Sequence, residues 1–343
     1  MKHLMKIAGL FVISLTIFSC SNQDWEFEDF EYTTTYFPIQ FPVRTLVYGD
    51  YNYEGENDSE FLISATKGGG YTNKKDVTVG FTIDNSLVDN LYAGNTKIQV
   101  MPPSWYTLSS PNQIFIPKGE LSGGVSVTLN DAFFADPASI GACWAIPLRM
   151  TSTTADSMLV GFTLLDNADP RIVGNWTKAP KDFTIFCVKY VNEWHGRYLL
   201  RGTSVCKNSA DGSVVETVRY AQRYLEQNQV VSFSTAARYQ SRYSAGIRHS
   251  DSGGASYGNF DFLMDYNNSD NTGTIKKHPN FKYDVTGTAK MVKGAESWGD
   301  EDRNVIYLDY KIDAGERYIE VKDTLVFRDK NVKFEEFSPA VRN

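Results

Sequence analysis

Trp194-His195-Gly196-Arg197-Tyr198, followed closely by Arg201, is the densest mixture of aromatic and hydrogen-bonding side chains in the sequence. Indole and phenol rings offer flat apolar faces that suit the C–H face of a sugar ring, while guanidinium and imidazole N–H groups donate to hydroxyls. The chemistry this suggests is binding rather than bond breaking. Trp194, His195, Tyr198 and Arg201 are therefore the predicted ligand contacts, with Trp298 as a further flat ring. A competing reading makes the run a hairpin in which Gly196 turns the chain and Trp194 plugs the end of a barrel. The two differ in whether the indole meets solvent.

Other groupings carry less. Trp298 to Asn304 includes Asp300, Glu301 and Asp302 before a strand, a set of oxygen donors that could hold calcium, but the full Asp-x-Asp-x-Asp-Gly spacing is missing and a solvated loop fits as well. Asn267 to Gly273 reads as a loop tip. A glycosidase needs two carboxylates facing each other across a cleft, and no pair of acids here holds a privileged position. There is no Gly-x-Ser-x-Gly elbow, and Lys67-Gly68-Gly69-Gly70 is wrongly ordered for a phosphate loop. His195, His249 and His278 lack metal-ligand spacing. Cys143, Cys187 and Cys206 contain no CxxC; a Cys187–Cys206 bridge stays open, although small buried thiols fit better. The expectation is a protein without cofactor, metal or catalytic activity.

Cys20 gives an address. Lys2 and Lys6 precede an apolar run ending Ile17-Phe18-Ser19-Cys20. This arrangement resembles a bacterial lipoprotein signal, with cleavage before Cys20 and acyl chains on that residue. The apolar run falls short of the roughly 20 residues that cross hydrocarbon, whereas several acyl chains give stable anchoring. Asp24, Glu26, Glu28, Asp29 and Glu31 follow, interleaved with Trp25, Phe27 and Phe30, and resemble the export signal of Bacteroidetes surface lipoproteins. Losing Lys2 and Lys6 from a total of 34 basic residues leaves 32 against 41 acidic ones, a balance of −9. That sign argues against nucleic acid, whose binding neutralises phosphates with Lys and Arg.

The elements that must position these residues are strands. An aromatic fraction of 14% with abundant Gly, Thr and Ser suits pleated, half-buried surfaces. Val77, Val79, Phe81 and Ile83 alternate with Thr78, Gly80 and Thr82, and comparable runs recur up to Leu165 at the spacing of a β-sandwich. Asp166 to Arg171 clusters turn formers around Pro170 and reads as a joint. Beyond it, Ile306, Leu308, Tyr310 and Ile312 form one side of a strand, and Ile319, Val321, Leu325 and Phe327 one side of its partner across Ala314-Gly315. With the run Phe183 to Tyr190 and others, the tail holds about eight or nine antiparallel strands, enough to close a small barrel. Val215 to Gln227 is ambiguous between strand and helix.

The stretches "DVTVGFTIDNSLVDNLYAGN", "MPPSWYTLSSPNQIFIPKGELSGGVSVTLN" and "WAIPLRMTSTTADS" resemble the N-terminal domain of unknown function found in many Bacteroidetes surface lipoproteins. The shared pattern falls at Asp84, Leu87-Val88, Pro103 to Tyr106, Ile116 to Gly119 and Pro147. "FTIFCVKYVNEWHGRYLLRG", "YDVTGTAKM" and "DTLVFRDKNVKFEEF" resemble the lipocalin-like domain that follows it in related proteins. The predicted class is thus all-β: signal peptide 1–19, acidic tether 20–35, β-sandwich 36–166 and a lipocalin-like antiparallel β-barrel 171–343. The first module also precedes glycosidase domains in some surface endo-acting enzymes, so the resemblance implies a glycan-processing setting; with the Cys20 signal, the acidic start and the missing catalytic motifs, the expectation is a non-catalytic, lipid-anchored protein of the outer membrane facing the cell exterior. It would bind an oligosaccharide or polysaccharide within a polysaccharide-utilisation system, beside an outer-membrane transporter. The alternatives are a carrier holding a small apolar ligand in the barrel, which Phe260, Phe262, Phe281 and Tyr283 would tend to fill, and an adhesion subunit.

Overall fold

The computed structural model describes residues 30–48 and 59–342. Cys20 and the signal and tether residues up to 29 lie outside the described residues. Two sheets form the first module. One runs Ser157–Met158, Thr34–Tyr36, Glu60–Gly68, Ser122–Leu129, Tyr106–Leu108; the other runs Glu335–Glu336, Pro42–Val47, Phe183–Val191, Trp144–Thr153, Val77–Ile83, Gln113–Ile116. Strand alternation drives their packing: Phe61, Ile63 and Ala65 point inward while Leu62 is exposed, and Val77, Val79 and Phe81 face them from the opposite sheet.

The second sheet is covered on both faces. Val43, Phe183, Ile185 and Cys187 pack outward against Leu87, Val88, Leu91, Ile98 and Phe337, under a small third sheet, Pro339–Val341, Leu91–Ala93, Thr96–Lys97. This corrects the expected boundary. Phe183–Val191, assigned from the sequence to the barrel, pairs with Trp144–Thr153 on one side and Pro42–Val47 on the other. A strand buried on both faces reads as a continuous apolar run, so its sequence alone does not say which sheet it joins. The end of the chain likewise returns to the sandwich.

From Gly196 onward the chain closes an antiparallel barrel of eight strands: Gly196–Asn208, Gln229–Ala237, Gln240–Gly246, Asn259–Asn267, Thr272–Lys277, Asp284–Trp298, Glu301–Asp313 and Arg317–Asp329. The last pairs with the first from Arg197↔Asp329 to Asn208↔Arg317, which removes the open edges. The ambiguous segment is strand over Val214–Tyr220, an extra hairpin arm on the far half of Gly196–Asn208. The anticipated hairpin forms as read, with Ile306, Leu308, Tyr310, Ile312, Ile319, Val321 and Leu325 in the barrel core.

Candidate functional site

The predicted contacts do not form one platform. Trp194 is fully buried and stacked on Tyr266, ring centroids 4.9 Å apart. Tyr198 is buried beside it and donates from its hydroxyl to the Trp194 carbonyl at 2.8 Å. Both belong to the barrel core, because positions 194, 198 and 200 share the inward side as the chain enters its first barrel strand. Their faces are therefore closed to a sugar, and the expectation of ligand contact at Trp194 and Tyr198 is corrected to the plug reading.

His195 sits at the junction of the modules, its Nδ1 accepting from the Thr235 backbone N–H at 3.2 Å. Burial, helped by Lys330 and Lys189, pushes its imidazole down to about 4, so it is neutral at physiological pH. Arg201 and Trp298 lie on the outside of the barrel, linked through the hairpin that carries Glu296. A register shift after Val292 lets the end of the Asp284–Trp298 hairpin fold back, pairing Glu296 with Arg201 and laying half-buried Trp298 over Leu199, Val305 and Val326. The Arg303 guanidinium lies 5.1 Å from the Trp298 ring, and Glu301 pairs with Arg303 at 2.7 Å. Among the described residues no group of three or more His, Cys, Asp or Glu is placed to hold a metal. Cys143, Cys187 and Cys206 are buried free thiols.

The junction is held by a small polar clamp. The Asn192 amide donates to the carbonyls of Ala237 and Gln240 at 3.1 and 2.8 Å, seizing the tip of a barrel hairpin. Beside it, Arg238 pairs with Asp131 of the sandwich and lies 4.6 Å from the Tyr48 ring. Burial first, and then the hydrogen bond to Tyr239, push the Tyr48 phenol up to about 12.

The barrel interior is filled rather than hollow. Phe233, Tyr243, Phe260, Phe262 and Tyr310 interlock across it, with Phe233 and Tyr243 stacked at 4.8 Å. At the end away from the sandwich a cavity of about 10 Å³ borders Ser204, Tyr220 and Tyr310, and at the near end one of about 120 Å³ borders Tyr198 and Lys330. Neither of these two cavities is large enough for a lipid-sized ligand.

Two polar arrangements lie in the middle and toward the far end of the barrel. Asp323, nearly fully buried, accepts from the hydroxyls of Tyr220 and Tyr310, and Gly202 leaves the space for it, since a Cβ there would lie 2.5 Å from Asp323 Oδ1. Desolvation raises its carboxyl to about 6, against the lowering effect of the two phenols and Arg248. Nearby, Ser204 Oγ lies 2.8 Å from His249 Nε2, and His249 Nδ1 lies 2.8 Å from Glu216. That is the hydrogen-bond order of a serine relay, and sequence reasoning missed it because the three residues lie on separate elements. The adjoining cavity of about 10 Å³ is no larger than one water and admits no acyl group. The arrangement instead ties the loop bearing His249 to the barrel wall.

A wider opening lies in the sandwich. A groove of about 520 Å³ runs between strands Pro42–Val47 and Glu60–Gly68. Leu46, Leu62 and Phe186 line it, with Phe186 stacked on Phe61 at 5.2 Å. Phe334, 65% exposed, enters from the returning tail. Arg44, Thr45, Ser64 and Lys333 supply polar groups along the same walls. None of these positions was singled out from the sequence: the groove is made by two strands from one end of the chain and a tail segment from the other.

A model of a domain of unknown function, DUF5627, matches residues 193–331, the span of the barrel, and a second model, described as an N-terminal domain, matches residues 30–157 of the sandwich. No protein of curated function matches the chain. A crystal structure from Bacteroides ovatus, of unknown function, is 34% identical over 92% of this chain and 100% of its own, with a TM-score of 0.80. A multidomain protein including DUF1735 from Bacteroides ovatus (12% identity, 88% and 97% coverage, TM-score 0.44) and an auxiliary nutrient binding protein from Bacteroides thetaiotaomicron (14%, 83% and 90%, 0.39) are too distant in structure to support any argument. Identity and coverage with the first of these, together with the two matched domains, make this chain a member of the same two-domain, all-β family of unknown function.

Proposed function

We propose that this protein is a non-catalytic outer-surface lipoprotein, anchored through Cys20, that binds a saccharide in the sandwich groove and hands it to an outer-membrane transporter. The observation that carries the reading is the groove itself. Its volume of about 520 Å³ lies within the range of small-molecule sites, roughly 300–1,000 Å³. An exposed phenyl ring at Phe334 lines the groove together with Lys333 beside it and with Arg44, Thr45 and Ser64 from the strands, an aromatic face among hydrogen-bonding side chains of the kind that suits a sugar. The filled barrel supports assigning binding to the sandwich.

Affinity electrophoresis across plant and host polysaccharides tests the binding; retardation by at least one of them is expected, and no retardation by any removes the reading. Acylation is tested separately by palmitate labelling of the wild type and Cys20→Ala. Because carbon makes up most of the groove walls, the second reading is a small apolar ligand at the same place, which a lipid-mass adduct in native mass spectrometry of the purified protein would select.

A further inference from the structure

Lys330 follows the last barrel strand and is only 9% exposed. Its Nζ donates to the backbone carbonyl of Glu193 and lies 5.4 Å from the centroid of the Phe327 ring. It also borders the cavity of about 120 Å³ at the sandwich end of the barrel, whose walls include Glu193, Tyr198, Met291 and Phe327. Lysine is almost never fully buried unless paired; here the amine is held by the Glu193 carbonyl, and the residue borders an opening large enough for a small molecule of a few heavy atoms.

We propose that Lys330 is a covalent capture site, its amine condensing with the carbonyl of an aldehyde of two or three carbons that enters this cavity. The unprotonated Nζ forms a bond to the carbonyl carbon, and the carbonyl oxygen takes up a proton. The oxygen then leaves as water with both amine hydrogens accounted for, giving a C=N bond to Lys330 with no net oxidation or reduction. Glu193 is the carboxylate lining the cavity beside the amine, and it carries protons between the two stages.

The surroundings favour the reactive form. Desolvation lowers the Lys330 amine to about 8, against the opposing pull of Glu193. The other ionisable groups facing the site are Lys293, 3.7 Å from Glu193, the Tyr198 phenol held neutral by burial, and neutral His195. At pH 7 about 9% of such an amine is unprotonated, against about 0.03% of an ordinary lysine. A weaker base is also a weaker nucleophile, which leaves an advantage of about tenfold. The inference does not depend on the sandwich groove binding a saccharide.

The test is reductive trapping of the native protein with glycolaldehyde and cyanoborohydride, read lysine by lysine by peptide mass spectrometry, with glucose in parallel. Lys330 is expected to be labelled about tenfold faster than the median exposed lysine at pH 7, with the advantage shrinking above pH 8 and vanishing in urea, and to be untouched by glucose. Labelling of Lys330 no faster than exposed lysines, or equally fast by glucose, overturns the proposal.

Discussion

Asp323 offers the sharpest physical prediction. The carboxyl is buried among Tyr220, Tyr243 and Tyr310, and two phenol hydroxyls donate to it. Its titration midpoint moves from 3.8 in the unfolded chain to about 6 in the barrel. Below about pH 4 it is protonated in both states and costs nothing. Between pH 4 and 6 the unfolded chain ionises first, so this residue makes folding progressively less favourable; above 6 the penalty is constant. A shift of about two units corresponds to about 3 kcal/mol. Asp323→Asn keeps the shape without the charge. Its own hydrogen-bond cost, about 1–2 kcal/mol for the extra buried N–H, is the same at every pH. Urea denaturation of both proteins from pH 4 to 7, following the barrel transition, isolates the term as a difference. The variant should gain about 3 kcal/mol on the wild type across that range. A difference that stays flat, or moves the other way, refutes the burial argument.

Trp194→Ala should cost about 3–5 kcal/mol of stability, the usual loss for a buried indole, measured as a lower urea midpoint, and leave saccharide affinity of the still-folded protein unchanged. A selective loss of binding would restore Trp194 as a ligand contact. Cys143 and Cys187 should resist iodoacetamide in the native protein and react in urea, because burial pushes both thiols up; rapid native alkylation would contradict their packing. Asn192→Ala should free the barrel hairpin tip from the sandwich, seen as faster amide exchange over residues 235–240 with the remaining barrel strands protected.

Much of this architecture was legible because strand alternation is a local signal. Ile306 to Ile312 alternates strictly and Ile319 to Leu325 does so apart from the inward Asp323, and the barrel places the apolar side chains of both in its core. Val77, Val79 and Phe81 did the same for the sandwich. What local patterns cannot carry is partner choice. Phe183–Val191 is apolar on both faces, so nothing in it distinguishes barrel from sandwich, and only the completed sheet settles it. Site prediction suffered from a related ambiguity. An aromatic beside Arg and His looks the same whether its ring faces water or the core, and inward placement was decided by Trp194 stacking on Tyr266, 72 residues away. The groove was invisible for the same reason, since Leu62 and Phe334, which line it together, stand 272 residues apart in the chain.

The central claim is that a saccharide binds in the sandwich groove against Phe334. Calorimetric titration of wild type and Phe334→Ala with the polysaccharide that retards the protein tests it most directly. The account predicts a loss of about 1–3 kcal/mol in the variant, roughly 5- to 150-fold in affinity. Equal affinity in the two proteins would contradict it and move binding elsewhere on the molecule.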